Sequence, residues 1–398
     1  MKKASIREVR AYVVAPGETG ADYHNQSDKH WIIDLPIANP MSIYEEYRAK
    51  RTSWGINALG TVIVEVELDD GTVGIGCSIG GEPACFIIEK HLSRFVEGQD
   101  VRNVELLWDQ MWRATIPYGR KGLALHAISA VDLAIWDCLG KLRGEPVYAL
   151  LGGKTKETLR VYATTSRADL AKAWGFEGAK IPCRYGPADG LAGLKKNVAA
   201  VAEAREEVGP DFPLRLDCYM ALTLPYAIEL ARALQPYNLH WIEECLLPDD
   251  YDGYTALKAA LGSICLVTTG EHEYTRYGFR QLIALKCADI LQPDINWVGG
   301  ITEARRIVAM ASAYDIPVIP HGSSVFSYHL QYAFTNCPVA EFLVMSPQAD
   351  RIVPLFGTLL KNEPLPKDGL IHLSDAPGFG VELNDDLKRV RPYARPKN

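Results

Sequence analysis

The sequence predicts an α/β fold in which an α+β domain is followed by a modified (β/α)8 TIM barrel. After residue 150, short apolar or β-branched runs alternate with helix-like segments, and each repeat is about one strand plus one crossover helix long. Eight such runs predict a barrel or a near variant. They lie near residues 159–164, 178–182, 213–217, 240–244, 265–270, 289–293, 317–320 and 339–343. A doubly wound open sheet is the alternative, but no Gly-x-Gly-x-x-Gly follows the first strand.

Three segments are expected from the order of these patterns. Residues 1–150 form the α+β domain, and residues 151–361 form the barrel. Residues 362–398 carry little helix signal and are expected to return to the first domain. A chain of 398 residues exceeds what a single hydrophobic core normally supports, so a division into domains is expected.

The first domain is predicted to be an antiparallel sheet followed by helices. Strands are expected over residues 4–15 and 58–79, and Asp69-Asp70-Gly71 is typical of a hairpin turn. The periodicity becomes helical from residue 84 to residue 141. The long aromatic segment 16–55 between the first strands predicts a lid over a functional site, because long loops in compact domains are usually functional or disordered.

Composition and charge exclude several classes of partner. The net charge of −7 comes with no basic stripe, so neither a nucleic acid nor a membrane is expected as a partner. The nine cysteines are scattered without a Cys-x-x-Cys pair. This pattern favours reduced, buried thiols in a cytoplasmic protein over a disulfide framework.

Three consecutive predicted strands end on a carboxylate, at Asp217, Glu243 and Glu271. The carboxyl ends of barrel strands converge on one mouth, where three acidic groups repel one another unless a cation binds them. Hard oxygen ligands of this kind predict a Mg²⁺ site with open positions for water and an anionic substrate. Each residue taken alone is more often a helix N-cap or a solvated charge, and the neighbouring Glu244, His272 and Glu273 are alternative contacts.

The next three strands add Asp294, His321 and Glu341 to the same mouth. A hydrogen bond from His321 to Asp294 would fix the imidazole tautomer and raise the basicity of the other nitrogen. Glu341, kept neutral by burial, would donate a hydrogen bond to a substrate carboxylate as it becomes an enediolate. A lone histidine is more often structural, but six ionisable residues in register predict one site that removes a proton next to a carboxylate.

This ordered set resembles the mandelate racemase branch of the enolase superfamily. Asp294-x-Asn296 and Gly299-Gly300 after the sixth strand belong to the same likeness, which covers essentially the whole chain. The resemblance implies an N-terminal capping domain completed by the C-terminal tail. It also implies one Mg²⁺ per subunit, a small-molecule acid-sugar substrate and a homo-oligomer, often an octamer.

One departure from the branch pattern narrows the expected chemistry. Many members carry Lys-x-Lys at the end of the second barrel strand, where the second lysine is a base on the other face of the substrate. Here the run is Lys180-Ile-Pro182. One-base chemistry through His321 is therefore favoured, which indicates elimination rather than racemisation or epimerisation. Lys180 is expected either to contact the substrate carboxylate or to support the site from below.

Further stretches are similar to the L-rhamnonate dehydratases. They include Asp22-Tyr-His24-Asn-Gln, Lys29-His30-Trp31, Gly55-Ile-Asn-Ala-Leu-Gly60 and Pro320-His-Gly-Ser-Ser324. In those enzymes a lid histidine and a lid arginine contact the acid sugar, which assigns these contacts to His24 and Arg51, with His30 as a further candidate. The resemblance implies dehydration of L-rhamnonate to 2-dehydro-3-deoxy-L-rhamnonate. L-lyxonate and L-mannonate are alternative substrates, because a terminal methyl or hydroxyl changes binding by only ~1 to 3 kcal/mol.

A reading from a different class also stays open at this point. A non-catalytic acid-sugar binding protein could retain the same barrel, but such a protein is expected to lack a metal ligand or the base. Here all three carboxylates, Asp217, Glu243 and Glu271, are present together with His321. The sequence therefore favours an enzyme, a hydro-lyase.

Overall fold

The computed structural model describes residues 4–15, 30–51, 59–322 and 324–394. The strands are β1 (Ile6–Val14), β2 (Thr61–Leu68), β3 (Val73–Ile79), β4 (Leu159–Thr164), β5 (Ala179–Pro182), β6 (Leu214–Asp217), β7 (Trp241–Glu243), β8 (Leu266–Thr269), β9 (Ile290–Leu291), β10 (Ala340–Leu343), β11 (Leu360–Lys361), β12 (Leu370–Ile371), β13 (Glu382–Leu383) and β14 (Arg389–Val390). The α-helices are α1 (Trp31–Asp34), α2 (Gly81–Ile87), α3 (Ser93–Val96), α4 (Val104–Thr115), α5 (Leu123–Arg143), α6 (Val147–Leu150), α7 (Ala168–Ala173), α8 (Gly190–Val208), α9 (Leu224–Leu234), α10 (Tyr251–Leu261), α11 (Thr275–Ala284), α12 (Gly300–Ser312) and α13 (Val325–Ala333).

The N-terminal domain contains an antiparallel sheet in the order β14-β1-β2-β3. Its edge strand β14 comes from the C-terminal segment and pairs with β1 through Val13 with Val390 and Val14 with Arg389. A buried carboxylate strengthens this junction, because Glu89 Oε1 accepts a hydrogen bond of 2.6 Å from Arg391 Nε. The C-terminal tail therefore completes the first domain, as the sequence predicts.

Helix α5 packs closely against β3 because the facing strand positions have no side chain. A Cβ on Gly74 would lie 2.2 Å from Ala134 O, and one on Gly76 would lie 2.1 Å from Ala130 O. By length and composition α5 passes a test for a membrane span, but 94% of its most apolar window is buried inside the structure. Its apolar composition is explained by its place in the core.

The second domain is a curled parallel sheet with helices between its strands. The order is β10-β4-β5-β6-β7-β8-β9, and the short β12 pairs antiparallel with β4. The seventh predicted strand, near residues 317–320, is reduced to one parallel bridge between Leu291 and Val318. Proline at positions 317 and 320 explains this reduction, because proline has no N–H to donate to a ladder.

The alternation of side chains along each strand determines which residues point into the centre of the curled sheet. The register aligns Asp217 with Glu243 and Glu243 with Thr268. Two residues earlier on the same strands, Arg215 is aligned with Trp241. Because side chains alternate along a strand, residues two positions apart point to the same side, so both sets of aligned residues face the interior of the curled sheet. The ionisable groups are thus collected at the carboxyl ends of the strands.

An apolar floor closes the interior below those groups. It consists of Tyr162, Trp241, Ile290, Ile319 and Val339. The guanidinium of Arg215 lies 4.5 Å from the centre of the Tyr162 ring and 4.3 Å from that of Trp241, a cation–π arrangement. Water is therefore excluded from beneath the carboxylates.

The two domains are joined through buried hydrogen bonds to the segment that follows β9. Thr302 N donates to Asp132 Oδ2 at 2.9 Å, and Trp136 Nε1 donates to Thr302 Oγ1 at 2.8 Å. Trp108 Nε1 donates to Gly299 O at 2.7 Å, while Gly299 N donates to the hydroxyl of Ser129 at 2.9 Å. Buried polar groups left without partners are costly, so these pairs fix the position of the capping domain on the barrel.

The buried Asp132 predicts a pH-dependent stability. Burial raises its pKa from 3.8 to about 7, although hydrogen bonds from Thr302 and the charge of Arg306 oppose the shift. The unfolded chain therefore loses this proton at lower pH than the folded chain, and stability is lost as the pH rises from about 4 to about 7.

Asp132→Asn keeps an acceptor for Thr302 N and removes the titration. Between pH 5 and pH 8 we expect the free energy of unfolding of wild type to fall by up to a few kcal/mol more than that of the variant.

Denaturant unfolding at the two pH values measures this difference. The exposed Asp211→Asn substitution is the matched control and should follow wild type. An Asp132→Asn protein with the same pH dependence as wild type would contradict the assignment.

Candidate active site

A cavity of about 160 Å³ lies between the mouth of the barrel and the capping domain. Its wall brings together five of the six predicted ionisable residues, namely Asp217, Glu271, Asp294, His321 and Glu341. Glu243 does not line the cavity and is only 1% exposed, so it lies behind the wall. Arg51 and Lys180, both predicted from the sequence to bind substrate, also line the cavity.

Asp294 and His321 form the predicted pair. His321 Nδ1 lies 2.8 Å from Asp294 Oδ2, and since a carboxylate only accepts, Nδ1 carries the proton. The other oxygen, Asp294 Oδ1, accepts from the backbone N–H of Asn296 at 2.7 Å. The other nitrogen of the imidazole, Nε2, lies 3.3 Å from Glu271 Oε1, and both residues line the cavity. The pair is thus built to present Nε2 to a bound molecule.

The surrounding carboxylates control the charge of His321. Burial lowers the pKa of the imidazole, but Glu271, Asp294 and Glu341 outweigh burial and raise this pKa to about 10. At neutral pH this arrangement holds an imidazolium, which cannot accept a proton. Positive charge at Glu271, the largest of these carboxylate contributions, would lower the pKa of His321 and so favour a role as a base.

Lys180 lies at the centre of a second group of carboxylates. Its Nζ is 3.2 Å from Asp217 Oδ2 and 3.0 Å from Glu341 Oε1, and it also forms an ion pair with Glu243. Burial lowers the pKa of Lys180, but the three carboxylates raise it well above its usual value, so the ammonium stays charged. Three carboxylates share one ammonium, and when all are ionised the group carries two uncompensated negative charges.

Glu341 is ionised, so the expectation that it is kept neutral is wrong. Its oxygens accept from Thr164 Oγ1, from Gly322 N at 2.8 Å and from Lys180. Burial raises its pKa, but Lys180 and His321 outweigh burial and lower it to about 2. Sequence reasoning missed this because the neutralising ammonium lies far away in the chain, on β5.

The donor set suits Mg²⁺ chemically, although the carboxylates face other partners in this structure. Among the described residues, no group of three or more histidine, cysteine or acidic side chains is already spaced to hold a metal ion. Asp217 and Glu243 face Lys180, while Glu271 faces His321. Burial raises the pKa of Glu243 to about 8 and also raises the pKa of Glu271. More positive charge near these two carboxylates would therefore stabilise their ionised forms. Hard oxygen donors with surplus negative charge are the chemistry that a divalent cation requires.

The neighbouring acid Glu244 has a structural role. Its oxygens accept from Thr269 Oγ1 at 2.5 Å, from Gly270 N at 2.9 Å and from His272 Nδ1 at 3.2 Å. These contacts hold the loop that carries Glu271, and Glu244 is not part of the cavity wall. Absence from the wall does not distinguish Glu244 from Glu243, but the contacts of Glu244 with Thr269, Gly270 and His272 assign its carboxylate to the support of this loop.

The lid residues have different environments. Arg51 is buried, and its guanidinium lies 4.1 Å from the centre of the Tyr219 ring, a second cavity residue. His30 instead caps α1, because its Nδ1 accepts from Ile32 N at 3.3 Å while its Nε2 lies 3.0 Å from Met345 O. It does not line the cavity, so its predicted contact with substrate is not supported by its place. His24 lies outside the described residues.

Several polar wall residues were not predicted from the sequence. They are Ser78, Thr164, Tyr219 and Ser324. Thr164 ends the first barrel strand, and Tyr219 follows a predicted ligand by two residues. These two residues could therefore have been predicted as wall residues from their positions in the sequence. Ser78 comes from the capping domain, so its place in the cavity wall can be predicted only from knowledge of how the two domains dock.

Comparison with known families identifies the family to which the chain belongs. Residues 163–387 match the profile described as enolase C-terminal domain-like, and residues 50–152 match the mandelate racemase / muconate lactonizing enzyme N-terminal domain. The chain belongs to the enolase superfamily, in the mandelate racemase group. This family has the barrel and N-terminal capping domain that the sequence predicts.

Individual relatives cover nearly the whole chain. An L-rhamnonate dehydratase from Saccharopolyspora erythraea is 55% identical over 98% of this chain and 99% of its own. The crystal structure of rhamnonate dehydratase from Gibberella zeae complexed with Mg is 48% identical, with a TM-score of 0.94 over 97% of this chain and 95% of that one. A racemase from Streptomyces coelicolor with bound magnesium is 26% identical, with a TM-score of 0.76 over 95% and 97% of the two chains. Members of one superfamily with different reactions therefore share this architecture.

Proposed function

We propose that this enzyme dehydrates the acid sugar L-rhamnonate to 2-dehydro-3-deoxy-L-rhamnonate and water in the presence of Mg²⁺. The observation that carries the proposal is the Asp294–His321 pair, whose Nε2 faces a cavity walled by carboxylates and Lys180. The two rhamnonate dehydratases named above, which span nearly the full chain, support the choice of reaction. Assembly into a homo-oligomer and a cytoplasmic location remain predictions from the resemblance.

The substrate carboxylate is expected to bind beside the two cationic groups of the wall. Lys180 and Arg51 both line the cavity and would attract an anionic substrate. Asp217, Glu243 and Glu271 would hold Mg²⁺, which supplies a Lewis acid for negative charge that develops on the carboxylate. Positive charge next to Glu271 would also offset the largest of the carboxylate contributions that raise the pKa of His321.

The reaction then needs one base that is reused as an acid. His321 Nε2 takes the proton from C2, the C2–H electron pair moves into the carboxylate, and an enediolate forms. The enediolate electrons then form the C2–C3 double bond while the C3–O bond breaks, and the imidazolium returns its proton to the leaving hydroxyl as water. The enol product tautomerises to the 2-keto acid. Asp294 holds the imidazole in the correct tautomer through both steps.

Elimination is favoured because the described wall offers one histidine. Among the residues that line the cavity in the described chain, His321 is the only histidine, and Lys180 is kept charged by three carboxylates. At the position where a second lysine would act, Pro182 is aligned with Asp217. Racemisation at C2 needs a proton acceptor and a donor on opposite faces, so this wall favours a one-sided reaction.

An apolar part of the wall favours a substrate that ends in a methyl group. It consists of Ile32, Leu343, Met345, Leu355 and Phe356. The lid helix α1 is docked next to these residues, since Trp31 Nε1 donates to Val344 O at 2.9 Å. A methyl group against this surface avoids the desolvation that a terminal hydroxyl would undergo. The 6-deoxy acid L-rhamnonate is therefore favoured over L-mannonate, which carries a hydroxyl at that position.

Substitution of the base tests the reaction. His321→Asn keeps a side chain that can bond Asp294 but cannot take a proton, so we expect dehydration to fall by at least ~10²- to 10⁴-fold. Formation of 2-keto acid from L-rhamnonate is the measurement. His372→Asn, an exposed position on the C-terminal segment, should retain wild-type turnover. Substantial activity in His321→Asn would remove this residue from the role of base.

Metal dependence is tested by binding as well as by activity. Chelation with EDTA should stop dehydration and added Mg²⁺ should restore it. Mg²⁺ at about 100 times its dissociation constant should stabilise the fold by ~2.7 kcal/mol, and Glu271→Gln should reduce this stabilisation. The exposed Glu229→Gln is the control and should respond like wild type. Metal-independent turnover, or equal stabilisation in Glu271→Gln, would contradict the assignment of the ligands.

The apolar wall predicts the order of substrates. We expect kcat/KM for L-rhamnonate to exceed that for L-mannonate by about 10- to 200-fold, the effect of ~1 to 3 kcal/mol. Leu355→Asn places a polar group at the wall and should narrow this ratio. L-lyxonate lacks the sixth carbon, so its kcat/KM should change less on this substitution. If the ratio of kcat/KM for L-rhamnonate to kcat/KM for L-mannonate is unchanged in Leu355→Asn, the apolar wall does not determine the substrate preference.

A further inference from the structure

Asn296 connects the capping domain with the pair of residues that carries the chemistry. It follows β9 by five positions, is only 8% exposed and lines the cavity. Both ends of its side-chain amide are used. Nδ2 donates to Cys77 O of β3 at 2.8 Å, and Oδ1 accepts from Ser324 Oγ at 2.9 Å. The side chain therefore spans a strand of one domain and the cap of helix α13 in the other.

The backbone of Asn296 makes two further contacts in the same place. Its carbonyl accepts from Ser78 Oγ at 2.5 Å, so two consecutive residues of β3 hold it. Its N–H donates to Asp294 Oδ1 at 2.7 Å, and the other oxygen of that carboxylate binds His321 Nδ1 at 2.8 Å. An unbroken series of hydrogen bonds thus leads from β3 to the imidazole.

We propose that Asn296 is a positioning residue through which strand β3 of the capping domain sets the orientation of the Asp294–His321 pair. The proposal rests on the proposed function, since it assigns the pair its role in proton transfer. In this arrangement the capping domain contributes to the chemistry through a fixed strand in addition to its lid.

The neighbouring contacts explain why small movements at Asn296 reach the imidazole. The ring of Trp297, the next residue, lies 5.2 Å from that of His321. Ser324 caps the helix that follows His321, since its Oγ accepts from Ser327 N at 3.3 Å. Displacement of Asn296 would therefore move the carboxylate, one side of the ring and the following turn together. A misplacement of about 1 Å can lower a rate by about 10²-fold.

The test compares two variants of Asn296 with a control at the same domain interface. Asn296→Ala removes both amide contacts, whereas Asn296→Asp keeps the size but loses the donor to Cys77 O. Trp136→Phe removes one buried hydrogen bond, from Trp136 Nε1 to Thr302 Oγ1, without touching the cavity or the pair. All three lose interdomain hydrogen bonding, so a stability effect alone does not distinguish them.

Two independent readouts are needed. The first is kcat and KM for dehydration of L-rhamnonate. The second is the downfield proton resonance of the hydrogen bond from His321 Nδ1 to Asp294, which requires no turnover. We expect both Asn296 variants to lower kcat by about 10- to 100-fold, to leave KM within about twofold, and to shift or abolish the resonance. Trp136→Phe should keep the wild-type kcat and resonance.

Opposite results would overturn the proposal. Wild-type kcat and resonance in folded Asn296→Ala would show that the series of hydrogen bonds does not position the pair. A raised KM with unchanged kcat would make Asn296 a substrate contact instead. If Asn296→Ala does not fold, Asn296→Asp and Ser78→Ala decide by the same criteria. Failure of wild type to dehydrate any aldonate would reject the proposed function, while the resonance still tests the positioning role.

Discussion

The ion pairing of Lys180 with Asp217, Glu243 and Glu341 is the interaction on which the centre of this structure depends. Carboxylates buried side by side repel one another, and each pays for lost hydration unless a cation is close. One ammonium cannot neutralise three of them. The carboxylates of Glu271, Asp294 and Glu341 raise the pKa of His321, and the raised pKa of Glu243 shows that further positive charge would stabilise its ionised form. Charge balance, rather than shape alone, therefore couples the proposed metal ligands to the proposed base.

The rest of the fold supports that concentration of charge. Alternation along parallel strands directs the ionisable residues inward, while the floor formed by Tyr162, Trp241 and their neighbours removes water from below. The capping domain covers the other side, and its position is fixed by buried hydrogen bonds such as that from Trp136 to Thr302. A site enclosed in this way has a low effective dielectric constant, which strengthens each electrostatic contact inside it.

Much of this arrangement was predictable from local patterns. The strands before Asp217, Glu243 and Glu271 and the pairing of Asp294 with His321 follow from spacing, because parallel strands must end at the same mouth. The ionised state of Glu341 was not predictable, since it depends on an ammonium brought close only by folding. The same holds for His30. Its sequence neighbourhood resembles a substrate contact, but its partner Met345 O is more than three hundred residues away. Local sequence indicates which groups meet at the mouth, whereas their protonation depends on distant partners.

The pairing of β14 with β1 also constrains the order in which the protein can form. Because synthesis proceeds from the N-terminus, Val13 and Val14 at the end of β1 wait for residues 389 and 390 before they are paired on the outer side. Every strand of the barrel has left the ribosome by then. During that interval this end of β1 lacks its partner strand, and unpaired strand edges are templates for aggregation. The sheet of the first domain is therefore completed only after all the strands of the second domain have been synthesised.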